Sequence, residues 1–268
     1  MQRIGRTGAL SLYPLTVVLM VFILAPLAVP IAISFSDSIL VSFPPKGFTL
    51  KWYAKVLTDD EFLSTFAFSL KLAAIVTLLT LALGIPCAIG LTRFEFPGRQ
   101  ACLGLVLSPL IFPVIVSGVA LLQFVSRAGS DNAFLHLIAG HSAICLPYVV
   151  RTTSAALLLA RKSIEEAART LGANSLIVFW RVTLPQIRGG ILAGAVFAFV
   201  TSFDDYTVSM WLADARNFTL PLQVYVFIER VFDPSVAAIS ALMILFSILL
   251  LLLLERAVGL NIHKIMAG

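Results

Sequence analysis

Ser163-Ile164-Glu165-Glu166-Ala167-Ala168-Arg169-Thr170-Leu171-Gly172-Ala173-Asn174-Ser175-Leu176-Ile177-Val178-Phe179-Trp180-Arg181-Val182-Thr183-Leu184-Pro185 is a stretch that local physical chemistry parses by itself. Ser163 with Glu166 three residues on has the spacing of a capping box, in which each side chain satisfies the other's backbone N–H, so a short helix is expected to start there. Gly172 is placed to end it in a left-handed turn, and Asn174 or Ser175 can cap a second short helix. Pro185 lacks a backbone N–H and is expected to limit that second helix. Ala167 and Ala168 give the first helix a small face open to close approach. Leu176, Ile177, Phe179 and Trp180 make the second too apolar to stay wet. Such a helix–turn–helix lies against a membrane surface or against another protein.

Working outward, the solvent of the rest of the chain follows from composition. Of 268 residues, 59% are hydrophobic and 12% charged, half the roughly 25% charge of a soluble domain. The mean hydropathy is +0.99. Six stretches reach the roughly 20 apolar residues that a membrane helix needs: 11–35, 62–91, 101–126, 134–160, 189–212 and 236–258. Arg3 and Arg6 before the first could suggest a signal peptide, but that apolar run is about twice the usual h-region, so it reads as a retained span. With the N-terminus inside, the inner connections hold eleven Lys and Arg (Arg3, Arg6, Arg93, Arg99, Arg161, Lys162, Arg169, Arg181, Arg188, Arg256, Lys264). The outer ones hold six (Lys46, Lys51, Lys55, Arg127, Arg216, Arg230). Basic residues collect in cytoplasmic loops, so both termini are expected there. The expected organisation is a single all-α membrane domain over 1–268.

A net charge of +5 is explained by those loops. No basic stripe with interleaved aromatics points to nucleic acid. Cys87, Cys102 and Cys145 are odd in number, fit no zinc spacing and read as small buried hydrophobes. His136 and His141 lie five apart in the fourth stretch and face different sides of a helix. With no Ser or Cys convincingly paired to them, they read as interfacial packing residues, against an intramembrane enzyme.

Glu166-Ala167-Ala168, then Gly172, then Val182-Thr183-Leu184-Pro185 resembles the EAA loop of binding-protein-dependent ABC permeases, with Val182 at a position usually Ile. The resemblance implies a six-helix type I importer permease with a coupling loop over 161–188, whose Glu166, Ala167, Ala168, Gly172, Leu184 and Pro185 meet a separate ATP-binding cassette ATPase dimer. ATP and Mg²⁺ are then expected on that partner, since this chain has no Gly-x-x-x-x-Gly-Lys-Ser/Thr phosphate loop and binds no cofactor itself. A second permease subunit, a periplasmic substrate-binding protein and the lipid bilayer complete the implied partners. A stand-alone secondary transporter is the competing class, argued against by the absence of an internal repeat.

Near the outer end of the fifth stretch lie Thr201-Ser202-Phe203-Asp204-Asp205-Tyr206. Carboxylates inside a membrane cost a few kcal/mol and are functional candidates by default. Lys71, at similar depth in the second stretch, is a possible ion-pair partner; the other reading is that the carboxylates attract a cationic solute. Ser202-Phe203-Asp204-Asp205, Leu220-Pro221 and the outer Gly47-Phe48-Thr49-Leu50-Lys51-Trp52-Tyr53 resemble polyamine permeases of the spermidine/putrescine PotC type, which pair with a PotB-like chain. That resemblance implies Ser202, Asp204, Asp205, Tyr206 and Trp52 along the substrate pathway. Where such permeases show Ser-Pro-Asp, this chain has Ser108-Pro109-Leu110, so an amino acid derivative, opine or aminophosphonate is the alternative solute.

Overall fold

The computed structural model describes residues 6–230 and 233–258. Arg3 and Lys264, two of the residues that set the expected orientation, lie outside them. The described elements are helices: α1 (Arg6–Ile33), α2 (Lys51–Leu57), α3 (Asp60–Arg93), α4 (Arg99–Leu107) with a 3-10 turn (Ser108–Leu110), α5 (Val114–Arg127), α6 (Ala133–Leu159), α7 (Lys162–Thr170), α8 (Ser175–Val178) leading through a π-helical turn (Phe179–Thr183) into α9 (Leu184–Phe203), α10 (Ser209–Leu212), α11 (Leu220–Arg230) and α12 (Ser235–Val258). Among the described residues, Tyr13–Ile33, Asp60–Arg93, Ala133–Leu159 and Ser175–Phe203 are each long and apolar enough to cross a bilayer. Ser235–Leu250 is apolar but shorter.

Two expected spans are interrupted. The stretch 101–126 is not one helix: Arg99–Leu110 and Val114–Arg127 form a pair bent by 104°. Pro113 cannot donate to the preceding turn and disfavours helical geometry at Phe112, and it takes an extended ψ of 128° at the start of α5. The stretch 189–212 begins earlier and stops sooner than expected. Its helix runs unbroken from Ser175 and ends at Phe203, and the chain resumes helix as the single turn α10.

The chain divides into two compact units, residues 1–60 with 224–246 and residues 61–223 with 247–268. In the first, α2 is tied down by its own loop. Trp52 is buried, and its indole N–H donates to the Ser36 carbonyl at 2.7 Å. The hydroxyls of Ser34 and Tyr53 share a hydrogen bond of 2.7 Å. Lys55 bridges to Asp233 at 2.7 Å. Burial works against ionisation of Asp233, but Lys55 and the hydroxyl and amide of Ser235 outweigh it and hold this carboxyl below its usual range. A depressed carboxyl stabilises the fold above its unfolded pKa and loses that contribution as pH falls through the folded value.

In the second unit, α6 is the central helix and α9 its principal partner. The reason is steric. A Cβ on Gly190 would stand 2.5 Å from the Ala156 Cβ and 2.6 Å from the Thr152 carbonyl oxygen, and one on Gly194 would meet the Thr152 Oγ1 at 2.6 Å. Gly190 and Gly194 share one face of α9, four residues apart, so the two backbones approach as membrane helices with small-xxx-small interfaces do. Leu72 and Val76 from α3, Leu137, Ile144, Cys145 and Val149 from α6, Ala198 from α9 and Val208 and Leu212 beyond it form one buried cluster. A second joins Ala88, Leu91, Val150, Leu157 and Ile187.

This packing makes a paired prediction. Gly190→Val should destabilise the detergent-solubilised protein by about 1–3 kcal/mol through overpacking. Gly189→Val, where nothing lies within 4 Å of an added Cβ, should cost about 1 kcal/mol or less. Thermal unfolding of the two variants side by side checks the difference.

Candidate functional site

At the C-terminal end of α9 the backbone leaves the helix and a polar cluster closes the gap. His141 on α6 is fully buried. Its Nδ1 lies 3.0 Å from the Ser202 Oγ and its Nε2 3.0 Å from the Ser209 Oγ. Asp205 stands on the Nε2 side, its Oδ2 at 3.7 Å. The same Oδ2 accepts the backbone N–H groups of Val208 at 2.9 Å and Ser209 at 3.1 Å, capping the single turn α10. The Ser209 hydroxyl donates to the Asp205 carbonyl at 2.9 Å.

The two carboxylates therefore differ. Asp205 is almost enclosed, its side chain 8% exposed, and is spent on the backbone; Asp204 is exposed. Neither meets Lys71, whose Nζ lies 4.9 Å above the Phe134 ring. The Lys71 bridge is thus not formed, because Asp205 turns to the amides of α10 once the helix breaks. Tyr206 donates its hydroxyl to the Met210 sulfur at 3.2 Å. Ser202 is 2% exposed and faces His141. Trp52 belongs to the other unit, its ring flanked by the ammonium groups of Lys51 and Lys55 at 5.0 and 5.8 Å.

His141 is the residue that sequence reasoning misplaced as interfacial. The signal was present: Leu137, His141, Cys145 and Val149 recur every fourth residue, and all four are buried. A histidine in such a row needs polar partners. His136 lies off it, with its Nε2 2.8 Å from the Ser130 Oγ. The Ser202–His141 pair is not a nucleophile and base open to a substrate, because both side chains are sealed. Among the described residues no three His, Cys, Asp or Glu side chains converge as a metal site.

The second candidate region is the segment from α7 to α9. Its turn is as expected: Gly172 has φ +88°, the Gly172 N–H donates to the Arg169 carbonyl at 2.9 Å and the Ala173 N–H to the Ala168 carbonyl at 3.1 Å, the paired bonds of a Schellman cap. Asn174 caps α8 by accepting from the Ile177 N–H at 2.9 Å. Two details differ. α7 starts two residues early, capped by Arg161 rather than Ser163 and without a side-chain bond, so Ser163 lies inside the first turn and the capping box is not made. Nor does Pro185 stop the helix. The preceding turn widens instead: the Leu184 N–H donates to the Phe179 carbonyl, five residues back, and so absorbs the donor that Pro185 lacks.

The neighbouring glutamates take opposite roles. Glu165 is buried and receives the Arg93 guanidinium at 3.0 Å. Glu166 is about two-thirds exposed, with Lys162 at 3.9 Å one turn back. Leu171, Leu176 and Trp180 are 89%, 68% and 60% exposed, an apolar face with no cover among the described residues. Glu165→Ala should cost roughly 1–3 kcal/mol, because it leaves the half-buried Arg93 guanidinium without its charged partner. Glu166→Ala should cost no more than about 0.5 kcal/mol. Unfolding of the two purified variants under the same conditions checks the contrast.

Residues 80–264 match the family described as binding-protein-dependent transport system inner membrane component. The chain is 32% identical over 230 residues to the putrescine transport system permease protein PotI of Escherichia coli (strain K12), covering 83% of this chain and 82% of that protein. It is 29% identical over 218 residues to the spermidine/putrescine transport system permease protein PotC of Haemophilus influenzae, covering 81% and 85%. Its fold is similar to that in the crystal structure of a bacterial ABC transporter involved in the import of the acidic polysaccharide alginate, with a TM-score of 0.67 over 97% of this chain and 98% of that one at 19% identity. The chain belongs to the inner-membrane permease family of binding-protein-dependent ABC importers, a multi-pass transport subunit and not an enzyme.

Proposed function

We propose that this chain forms part of the translocation pathway for a polyamine such as putrescine or spermidine, with Asp204 as the carboxylate that meets the ammonium group. The exposed position of Asp204 at the break after α9, beside Tyr206 and at the end of a membrane-length helix, is the observation that carries this reading. The names of PotI and PotC support it. A carboxylate left open in so apolar a chain finds no ion pair among the described residues to offset its cost, and a passing organic cation would supply one. In this proposal Asp205 and Ser202 stand behind Asp204 as its frame. An amino acid derivative, opine or aminophosphonate is the alternative solute, since Leu110 stands where related polyamine permeases carry Asp.

The wider proposal is a single permease domain over 1–268, six crossings and cytoplasmic termini, in which α4 and α5 together make the third crossing. The segment 161–188 acts as the coupling loop. Glu166, Ala167 and Ala168, with the exposed Leu171, Leu176 and Trp180, are placed to dock on an ATP-binding cassette subunit that holds ATP and Mg²⁺. Gly172, Leu184 and Pro185 shape that surface. The proposed pathway is completed by a PotB-like second permease, fed by a periplasmic binding protein.

Uptake by the reconstituted complex tests both halves. Asp204→Asn should raise the KM for putrescine about tenfold, the loss of about 1.4 kcal/mol of binding, and uptake restricted to a zwitterion or anion with an unchanged KM in this variant would retire the polyamine reading. Separately, Gly172→Pro cannot take φ +88° and loses the N–H to Arg169. It should insert normally yet lose most ATP-driven uptake, and normal uptake by it would count against coupling through this loop.

A further inference from the structure

We infer that His141 is a positioning residue, a buried latch that fixes the break between α9 and α10 and so decides which of the two adjacent carboxylates faces outward. The functional half of this inference rests on the proposed role of Asp204; the latch itself does not.

Counting hydrogens orders the cluster. The one hydroxyl hydrogen of Ser209 goes to the Asp205 carbonyl at 2.9 Å, so the His141 Nε2 must supply the hydrogen between Nε2 and the Ser209 Oγ. The carboxylate of Asp205, 3.7 Å from Nε2, sits on that same N–H side. Nδ1 then offers its lone pair, and the Ser202 hydroxyl donates to it at 3.0 Å. The bonds run in one direction, from Ser202 through the ring to Ser209 and on to the Asp205 backbone. Ser202 is in the last turn of α9 and Ser209 opens α10, so one side chain from α6 ties both sides of the break. Five residues, Asp204 to Val208, are thereby held between two fixed points. Within them the Asp205 carboxylate is turned inward onto the Val208 and Ser209 amides, and Asp204 is left outside. All of these groups are in one compact unit.

Leucine matches the shape of histidine roughly and makes none of these bonds. Glutamine carries one donor and one acceptor and can rebuild part of the chain. The test uses the assembled transporter with His141→Leu, His141→Gln and Asp204→Asn, and reads two quantities. Amide hydrogen exchange over residues 203–212 reports the latch without any solute, with residues 162–178 as the internal reference. Putrescine uptake reports KM and maximal rate separately. His141→Leu should speed exchange over 203–212 at least tenfold, leave 162–178 unchanged, and raise the KM about tenfold with little change in maximal rate; His141→Gln should recover much of both. If His141→Leu does not assemble, Ser209→Ala, which removes the Nε2 end of the chain of bonds, replaces it with the same readouts.

Unchanged exchange over 203–212 overturns the latch whatever happens to uptake. Faster exchange with a normal KM in His141→Leu, when Asp204→Asn does raise the KM, overturns the positioning role. Faster exchange together with a normal KM in Asp204→Asn keeps the latch and retires the polyamine contact, so the two claims fail separately.

Discussion

The close approach of α6 and α9 is the constraint on which the second unit depends. It exists because Gly190 and Gly194 offer no side chain where Thr152 and Ala156 present theirs. In a lipid surround, helices gain little from hiding apolar surface from one another and associate instead through tight packing and polar contacts. Near the loop between α6 and α7 the association is steric, glycine against threonine and alanine. Toward the other end it becomes polar, with Cys145 meeting the Ala198 carbonyl at 3.3 Å and His141 meeting Ser202. The same two helices thus carry the packing that orders the unit and the polar cluster that ends α9.

The segment from α7 to α9, proposed as the coupling loop, is bound to this frame at defined points. Arg93, at the end of α3, reaches Glu165 on α7. The Gln186 side chain accepts the Arg161 N–H at 3.0 Å and donates to the Val182 carbonyl at 3.0 Å, linking the start of α7 to the widened turn before α9. Because Ser175–Phe203 is one helical run, a displacement at α8 has a rigid path toward the break that holds Asp204 and Asp205. The connection from exposed Leu176 and Trp180 to the carboxylates is therefore one helical run, pinned midway by its packing on α6.

Much of this was legible in the residues. Gly172 was read as a left-handed cap and Asn174 or Ser175 as the N-cap of the second helix because each rests on a local rule with few competitors. The fourth stretch, 134–160, lies within one residue of α6 at each end, since an unbroken apolar run admits one reading. What failed was whatever depended on neighbours. The stretch 101–126 was counted by hydropathy as one span, whereas Pro113 separates α5 from α4. Pro185 was read as a stop, and the chain instead widened a turn around it. Asp204 and Asp205 were treated as successive helical positions, yet the helix ends one residue earlier and their environments diverge. Lys71 was matched to them by depth alone, and depth says nothing about which face a side chain takes. Glu165 was passed over for Glu166 because the motif highlights the second, while burial by Arg93 selects the first.

The most direct test of the account is a structure of the assembled transporter trapped with putrescine or spermidine inside the membrane region. The account places an ammonium group of the solute within about 3 Å of the Asp204 carboxylate, with Asp205 still capping α10 and His141 still between Ser202 and Ser209. A solute bound elsewhere in the pathway, with Asp204 turned away from it, would contradict the central claim.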